Sequence, residues 1–586
     1  MTERFSAALF PRRKCLCTYY RLRYFPPSVR AAVFLQNHCK CITFFTRGGT
    51  AEFRYNPRLC FHTHQRAHHM ADIFSKLENL WRKPAVYWPL LLVLAAATPL
   101  SFAPYYCFWL MPLLFAAFVR LLELRPEVHV RSAYLFGLAA YTCQFYWIHT
   151  ALHDISGLPN LYALPLTALL PAYLALYPAA AVWLWGRVRR NRWLSVGLAL
   201  PVFWTLAEFA RERLLTGFGW GALGYSQIAD ASPLAGFAPI GGIHLVTFAT
   251  ALAGAWLVLI VDSRGRLKTR AAFACALAAL LLAGHTARHT AFTQPTGQSS
   301  TVALAQGNIP QTLKFREDQV LPTLQRYLSQ TAQARADIVI LPETAIPVIL
   351  QDLPESVPEA FAQAARQNGS ALAVGVIRYT DDGTGYQNSV IDLTGYSAQN
   401  AQNLPAYTKN HLVPFGEYKP LPALTTGLYT LMDMPLADFR QGGGSQAPLT
   451  MKNQRVAFNI CYEDGFGDEL IPAAAQSTLL ANASNLAWYG RSNAMYQHLQ
   501  QSQARALELG RYMVRATNTG ATAAIDPQGR ITAQLPADTA AVLPAAVEGR
   551  SGQTPYMKLG GSWPLISLLA LTAAVLLLVG RGKKAV

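Results

Sequence analysis

Long apolar runs constrain the fold of this chain more than any other feature. A helix needs ~20 residues to cross a hydrocarbon core ~30 Å thick. Eight runs are close to that length, at 85–103, 105–122, 132–151, 163–185, 193–210, 237–261, 270–287 and 563–580. The sequence therefore predicts a polytopic α-helical membrane bundle of eight spans, with a soluble domain of 291–560 inserted before the last span.

The charge composition supports a membrane protein and argues against a nucleic-acid partner. Charged residues make up only 14% of the 586 residues, whereas soluble domains contain ~25%. The net charge is +18, but residues 1–69 alone carry ten Arg, two Lys and two Glu. Much of the remaining excess lies in short loops beside apolar runs, which is typical of membrane topology signals.

These basic loops also orient the spans. "GRVRRNRW" joins runs four and five, "DSRGRLKTR" joins six and seven, and "GRGKK" follows run eight. The connection "HTALHDISGLPN" between runs three and four has no Lys or Arg, although Arg211 and Arg213 weakly oppose the pattern in the next such loop. The positive-inside rule then predicts cytoplasmic N- and C-termini and places 291–560 outside the cytoplasm.

The first 69 residues differ from the rest of the chain. They are basic, aromatic and rich in Cys and His without a clear period, and their Cys spacings match no C-x₂-C zinc pattern. From Met70 the character changes to a short amphipathic start followed by the first span. We expect 1–69 to be a non-native or disordered extension, 70–290 the membrane domain with spans one to seven, and 561–586 the last span and tail. No metal or other cofactor is predicted.

Residues 291–560 alternate short β-rich runs with helical stretches. Buried strands are predicted at "TVALAQGNI", "ADIVILPE", "ALAVGVIRY", "NSVIDL", "RVAFNI", "STLLANAS" and "MVRATN", and helices at "PESVPEAFAQAARQNG" and "NAMYQHLQQSQARALELGR". Strands that alternate with helices predict a layered α/β domain whose sheets are covered on both faces.

Three candidate functional residues follow predicted strands or polar loops in this domain. Glu343 follows "DIVILP", Lys409 lies in "YTKNHLVPFGEY", and Cys461 follows "RVAFNI" and is the only cysteine of 291–560. The nearby Glu463 and Asp464 disfavour a thiolate, so a nucleophilic Cys461 would need a cation and a base from elsewhere in the chain. A lone cysteine after a strand is also compatible with an inert buried thiol.

The stretches "LPETAIP", "YTKNHLVPFGEY" and "NICYEDGF" together resemble the Glu-Lys-Cys signature of the nitrilase superfamily. The predicted topology, with "LLTGFGWGALGYSQ", "NASNLAWYG" and "GSWPLI", resembles its membrane branch, the bacterial apolipoprotein N-acyltransferases. The resemblance covers residues 80–580 and implies an α-β-β-α sandwich for 291–560. It also implies the bacterial inner membrane, with the catalytic domain on the periplasmic side.

The resemblance implies a ping-pong acyl transfer. Cys461 would attack an ester of a membrane phospholipid, expected to be phosphatidylethanolamine, and form a thioester. The N-terminal amino group of a diacylglyceryl apolipoprotein would then accept the acyl chain, which completes lipoprotein maturation. In this scheme Glu343 is the general base and Lys409 stabilises the oxyanion.

Further residues are implied around this triad. Glu417, Tyr462 and Glu463 match supporting positions of the family, with Glu417 expected to orient Lys409 or support the base. Candidate lipid contacts are found at Phe315, Trp488 and Trp220. The chain departs from the family at three positions: Phe315 and Leu341 stand where Trp is frequent, and Leu486 stands where Asp is frequent. These differences are expected to affect substrate preference. His498 is expected to be a satisfied polar residue rather than a base.

Two other functions are compatible with the residues. A membrane-tethered amidase of the same superfamily would need only one anchor, which eight runs disfavour. A non-enzymatic membrane receptor or transporter is the second alternative. The spans contain few charges, of which Glu208 is the main one, and this is unlike ion-coupled carriers.

Overall fold

The computed structural model describes residues 42–47, 50–55, 76–188, 191–261, 267–401, 403–420 and 438–580. The chain divides into two compact units, Met1–Leu77 and Glu78–Val586. In the first unit the strands β1 (Ile42–Arg47) and β2 (Thr50–Tyr55) form an antiparallel hairpin. The rest of 1–69, for which an extension without metal is predicted, lies outside the described residues.

Apolar helices dominate the second unit up to residue 288. They are α1 (Pro84–Ala96), α2 (Leu110–Leu124), α3 (His129–Gln144), α4 (Asn160–Leu174), α5 (Leu176–Trp185), α6 (Leu200–Arg213), α7 (Ala238–Val261) and α8 (Leu267–Arg288). Shorter helical turns connect them at Thr98–Ser101, Pro126–Val128, Thr150–Ile155, Arg192–Leu194, Ser195–Ala199, Leu223–Gln227 and Pro233–Phe237.

Six helical segments of the described residues are long and apolar enough to cross a membrane. They are Pro84–Ser101, Asn160–Trp185, Arg192–Arg213, Pro233–Val261, Leu267–Arg288 and Trp563–Gly580. The predicted runs 105–122 and 132–151 form α2 and α3, which have 15 and 16 residues. These two helices are shorter than the ~20 residues of a typical span, although both pack into the same apolar core.

The region from Gln294 to Ser551 contains two β-sheets. The strands are β3 (Gln294–Gln306), β4 (Ile338–Ile340), β5 (Ile346–Ile349), β6 (Ala371–Tyr379), β7 (Tyr386–Asp392), β8 (Ala406–Thr408), β9 (Leu449–Met451), β10 (Gln454–Ile460), β11 (Leu479–Ser484), β12 (Met513–Thr517), β13 (Ala523–Ile525), β14 (Ile531–Gln534) and β15 (Ala541–Ser551). One sheet has the order β15-β3-β4-β6-β7-β8, with β5 also paired to β6, and the other β14-β13-β12-β11-β10-β9.

Helices cover the outer face of each sheet. They are α9 (Glu317–Gln333), α10 (Ser356–Gln367), α11 (Gly467–Gln476) and α12 (Ala494–Leu509), with single-turn helices at Gln311–Lys314, Leu350–Asp352, Cys461–Gly465, Leu486–Tyr489 and Pro555–Lys558. The apolar helix α13 (Trp563–Gly580) follows.

The inner faces of the two sheets share one core, because Val302 and Ile340 of the first sheet pack in the same cluster as Phe458 and Ala481 of the second. Separate clusters join each outer face to its helices. The layer order is therefore helix, sheet, sheet, helix, in agreement with the expectation for 291–560.

Polar contacts connect the apolar helices α6 and α7 to this layered region. α7 is interrupted at Gly242, whose φ of +69° favours glycine, and an added Cβ there would lie 2.6 Å from the ring of Tyr556. Beyond the break, the backbone N–H of Ile243 donates to the Glu508 carboxylate of α12 at 2.7 Å. Arg213 of α6 likewise pairs with Asp468 of α11 at 2.6 Å. Charged side chains, among them the buried Glu508, therefore connect the layered region to the helices.

Candidate active site

Glu343 lies three residues beyond β4, in a turn where the next residue, Thr344, has φ +46°. Its side chain is buried. One carboxylate oxygen, Oε1, accepts a hydrogen bond from Asn388 Nδ2 at 2.8 Å. The other, Oε2, accepts from the backbone N–H of Asn485 at 2.8 Å. Residues from both sheets therefore hold this carboxylate in one orientation.

Lys409 directly follows β8, and its ammonium is buried between two carboxylates. Its Nζ lies 2.9 Å from Glu417 Oε1 and 3.6 Å from Glu343 Oε1. Burial alone lowers the pKa of Lys409, but Glu417 and Glu343 outweigh it and hold the pKa above its ordinary value. The side chain is therefore a fixed positive charge at neutral pH.

Glu417, which is expected to orient Lys409, has partners for both oxygens. Oε1 accepts from Lys409 and, at 3.1 Å, from Asn388 Nδ2. Oε2 accepts from the backbone N–H of Val413 at 2.7 Å, which closes the loop between them. Asn388 thus bridges Glu343 and Glu417 and sets the spacing of the two carboxylates around the ammonium.

Cys461 directly follows β10 and has φ +53°, a conformation that is uncommon for a residue with a side chain. Burial, and after it the charge of Glu343, raise the pKa of its thiol to about 12. Lys409 and the backbone N–H of Asn485 act in the opposite direction. The resting side chain is therefore a thiol, and a nucleophilic role would require a base to take its proton.

Glu463 is not placed against this thiol as a free charge. Its Oε1 accepts from the backbone N–H groups of Asn410 at 2.7 Å and His411 at 3.0 Å. Its Oε2 accepts from the backbone N–H of Ile460 at 2.6 Å, and Tyr407 donates to both oxygens. Glu463 thus ties the turn that carries Cys461 to the loop that carries Lys409. This link between the two segments was not predicted from the sequence.

Tyr462 points away from the triad towards the loop that follows α6. Its hydroxyl donates to the Gly217 carbonyl at 2.9 Å, and its ring packs on Phe466 with centroids 5.1 Å apart. Arg211 holds the same loop, because its guanidinium donates to the Phe218 carbonyl at 2.7 Å and to the carbonyl of Trp220 at 2.8 Å. The site therefore includes a loop supplied by the apolar helices.

The three predicted lipid contacts have different environments. Phe315 is 47% exposed and available to a ligand. Trp488 is partly buried. Trp220 is 3% exposed, its Nε1 donates to Gln497 Oε1 at 3.0 Å, and its ring stacks on His498 with centroids 5.4 Å apart. The buried Trp220 packs behind the site, whereas Phe315 faces outward.

Lys314 is a site residue that the sequence analysis missed. Its buried Nζ donates to the Glu343 carbonyl at 3.1 Å and to Thr344 Oγ1 at 2.7 Å. Burial lowers its pKa to about 8, against the raising influence of Glu343 and Cys461. Its place beside the exposed Phe315 in "QTLKF" gave no signal, because lysines before aromatic residues are usually solvated.

Asn388 and Asn485 were missed as well. Each lies at or after a predicted strand, and no feature of the sequence distinguishes them from other polar residues there. Within the described ranges, no group of three or more His, Cys, Asp or Glu side chains is placed to hold a metal ion.

Two family models match this chain. Residues 94–256 match the apolipoprotein N-acyltransferase N-terminal domain, and residues 301–556 match the carbon-nitrogen hydrolase family. The first match covers most of the helical region and the loop with Trp220, and the second covers nearly all of the two sheets and the site residues from Lys314 to His498.

Two relatives with high sequence identity have the same name. An apolipoprotein N-acyltransferase of Neisseria meningitidis serogroup B is 67% identical, over 87% of this chain and 99% of that protein. One of Chromobacterium violaceum is 49% identical, over 84% of this chain and 95% of that protein. Among solved structures, a CN-hydrolase superfamily protein of Xanthomonas campestris covers 49% of this chain and 99% of its own, with 18% identity and a TM-score of 0.31.

Proposed function

Because the chain belongs to the apolipoprotein N-acyltransferase family and is an acyltransferase, we propose that it works by a two-step transfer through Cys461. In the first step the sulfur attacks the acyl ester of a phospholipid, a thioester forms, and a lysophospholipid leaves. In the second step the amino group of a diacylglyceryl-modified N-terminal cysteine attacks the thioester. The acceptor becomes an N-acylated lipoprotein and the thiol is regenerated.

Glu343 is proposed as the general base of both steps. The thiol pKa of about 12 means that little thiolate exists at neutral pH, so the proton must leave as the sulfur attacks. Glu343 takes that proton and gives it to the departing alkoxide of the lysophospholipid. It then removes a proton from the attacking amine and passes that proton to the thiolate that leaves.

Lys409 is proposed to stabilise the oxyanion of each tetrahedral intermediate. A buried ammonium that remains protonated supplies a fixed charge, and such groups are worth most where water is excluded. Glu417 keeps the ammonium oriented through its 2.9 Å contact. Tyr462 and Glu463 support the two loops around the nucleophile, and Phe315 contacts the acyl chain.

The substrates are proposed to be lipids of the membrane in which the helices lie. A phospholipid donates the acyl chain, and we propose phosphatidylethanolamine. Apolipoproteins with a diacylglyceryl cysteine accept it. The exposed aromatic ring of Phe315 lies beside the site. Such a ring is better suited to contact an acyl chain than to contact a small amide substrate.

We further propose eight spans in the bacterial inner membrane, with both termini in the cytoplasm and the layered domain on the periplasmic side. Six segments have the length and composition of spans, and α2 and α3 would supply the other two. The proposed division is 70–290 for the first seven spans, 291–560 for the catalytic domain and 561–586 for the last span and tail. The asymmetry of Lys and Arg between loops supports this orientation.

The observation that carries the proposal is the buried group of Glu343, Lys409 and Glu417 beside a protonated Cys461 thiol. Purified protein in detergent should move a labelled acyl chain from phosphatidylethanolamine to a diacylglyceryl-cysteine peptide. A Cys461→Ala variant should not. Release of ammonia from amides without acyl transfer would instead favour the amidase. Binding of the peptide without turnover would favour a receptor.

A further inference from the structure

We propose that His498 is a positioning residue for the nucleophile, which it holds through the backbone carbonyl of Cys461 and not through the thiol. His498 lies on α12, is fully buried, and places Nε2 2.9 Å from the Cys461 carbonyl oxygen. This role rests on the proposed nucleophile.

The backbone of Cys461 requires such support. A non-glycine residue at φ +53° is strained, and strain of this kind persists only where neighbouring groups hold it. Two side chains reach the carbonyl of Cys461, since Asn482 Nδ2 also lies within 3.3 Å of it. Asn482 comes from β11 of the second sheet and His498 from α12, the helix that covers this sheet, so the packed domain fixes the peptide that follows the nucleophile.

The hydrogen-bond partners of His498 determine its tautomer. The guanidinium of Arg515 contacts Nδ1, and a guanidinium can only donate. Nδ1 must therefore be the unprotonated nitrogen that accepts. Nε2 then carries the hydrogen and donates it to the Cys461 carbonyl, which can only accept. One arrangement of protons satisfies both contacts.

Arg515 is itself held by buried groups. Its Nη1 donates to Asp464 Oδ2 at 3.0 Å and to Ser502 Oγ at 2.7 Å. The other oxygen of Asp464 accepts from Asn459 Nδ2 at 2.7 Å. A continuous buried chain thus runs from a carboxylate through a guanidinium and an imidazole to the peptide of Cys461.

The same arrangement excludes His498 as a general base. Burial lowers its pKa well below the ordinary range, and the Arg515 charge lowers it further, so the ring is neutral at working pH. The neutral ring has one nitrogen lone pair that can accept a proton, on Nδ1, and this lone pair already accepts the hydrogen bond from Arg515. The ring also stacks against Trp220 from the loop that follows α6, so the helices contribute to the support of the nucleophile.

Two substitutions separate this role from general stability. In His498→Asn the short amide reaches the position of Nδ1 and still accepts from Arg515, but it ends short of Cys461. In His498→Gln the amide nitrogen reaches the position of Nε2 and can donate to the carbonyl. Both are buried polar residues of similar size, so their effects on folding should be alike.

The experiment measures the single-turnover rate of Cys461 acylation by phosphatidylethanolamine, the KM for that lipid and the Tm in detergent. His498→Asn should slow acylation by about 100-fold, as expected for a misplaced reacting group, with KM little changed. His498→Gln should recover most of the rate although its Tm is lowered as in His498→Asn.

The control is Gln503→Ala, which removes another buried side chain of α12 that donates to a backbone carbonyl, that of Gly529 at 2.7 Å. It should lower Tm and leave the acylation rate of the folded protein unchanged. The proposal is overturned if His498→Gln is as slow as His498→Asn, or if both react at the wild-type rate. Failure of the proposed function itself would give a different result, because even the wild-type protein would then acquire no acyl group on Cys461.

Discussion

The ammonium of the buried Lys409 lies 2.9 Å from Glu417 Oε1, and the Glu417 side chain is itself only 12% exposed. Glu417 belongs to the loop that begins at Lys409 itself, so the lysine and its orienting carboxylate are positioned together. Lys409 Nζ lies 3.6 Å from Glu343 Oε1, so Glu343, the proposed base, is paired less tightly with the ammonium than Glu417 is. Glu343 is therefore the carboxylate that remains available to a proton.

Glu417→Gln should reduce acyl transfer by about 10- to 100-fold, the equivalent of a lost hydrogen bond to a charged group. The amide keeps the shape but removes the charge that orients the ammonium. The rate of thioester formation under single-turnover conditions measures the effect.

The matched control for that variant is Glu359→Gln on α10. Glu359 pairs with Arg366 at the surface and has no contact with the site. Its activity should equal that of the wild type. Equal activities of Glu417→Gln and Glu359→Gln would show that Glu417 has no part in catalysis.

Glu343→Gln should change two rates in opposite directions. The carboxylate of Glu343 raises the thiol pKa of Cys461, so its removal should lower that pKa and speed alkylation by iodoacetamide at pH 8. Acyl transfer should fall by about 10²–10⁴-fold, because the general base is lost. Rates of alkylation and acyl transfer that fall together would indicate a damaged site and not a missing base.

Lys314 should make the stability of the protein depend on alkaline pH. Burial lowers its pKa to about 8 from an ordinary 10.5, so between these values the unfolded chain binds more protons than the folded protein. Stability should then rise with pH across this window, by an amount on the order of 3 kcal/mol.

Thermal unfolding in detergent at pH 7 to 10 tests this expectation. Below pH 8 both states are protonated and Lys314 contributes no slope. In Lys314→Met the rise between pH 8 and 10 should be smaller than in the wild type, while other groups titrate equally in both proteins. If stability rose equally with pH in the wild type and in Lys314→Met, Lys314 would not be uncharged in the folded protein at high pH.

Phe315→Ala should raise the KM for long-chain phospholipid donors by about tenfold, as expected for the loss of part of an aromatic contact. The chemical step should change little, because Phe315 is 47% exposed and has no proposed role in proton transfer or oxyanion stabilisation. Phe315→Trp keeps an aromatic ring and serves as the control. A KM that is unchanged in Phe315→Ala for all chain lengths would remove this residue from the lipid site.

The sequence predicted features that depend on local pattern. "ALAVGVIRY" forms β6 over the same residues, 371–379, because a short continuous apolar run with β-branched side chains is typical of a buried strand. Glu343, Lys409 and Cys461 each follow a strand, and the family resemblance predicts that they share one site; Lys409 Nζ lies 3.6 Å from Glu343 Oε1, and the charges of both residues influence the Cys461 thiol. The helical runs were equally visible, since length and hydropathy define them.

Contacts between distant segments could not be predicted in this way. Asn388 bridges two carboxylates only because β7 packs beside the loop of Glu417, and Asn485 reaches Glu343 from the opposite sheet. The φ of +53° at Cys461 depends on such packing as well. These features arise from the packing of the two sheets against each other. The residue pattern of one sheet alone does not predict that packing.

The central claim is a thioester on Cys461, and the mass of the intact protein tests it most directly. Wild-type protein mixed with phosphatidylethanolamine and no acceptor should gain the mass of one acyl chain. That mass should disappear on addition of a diacylglyceryl-cysteine peptide and should be absent from Cys461→Ala. An acyl group on any other residue, or transfer to the peptide by Cys461→Ala, would contradict the account.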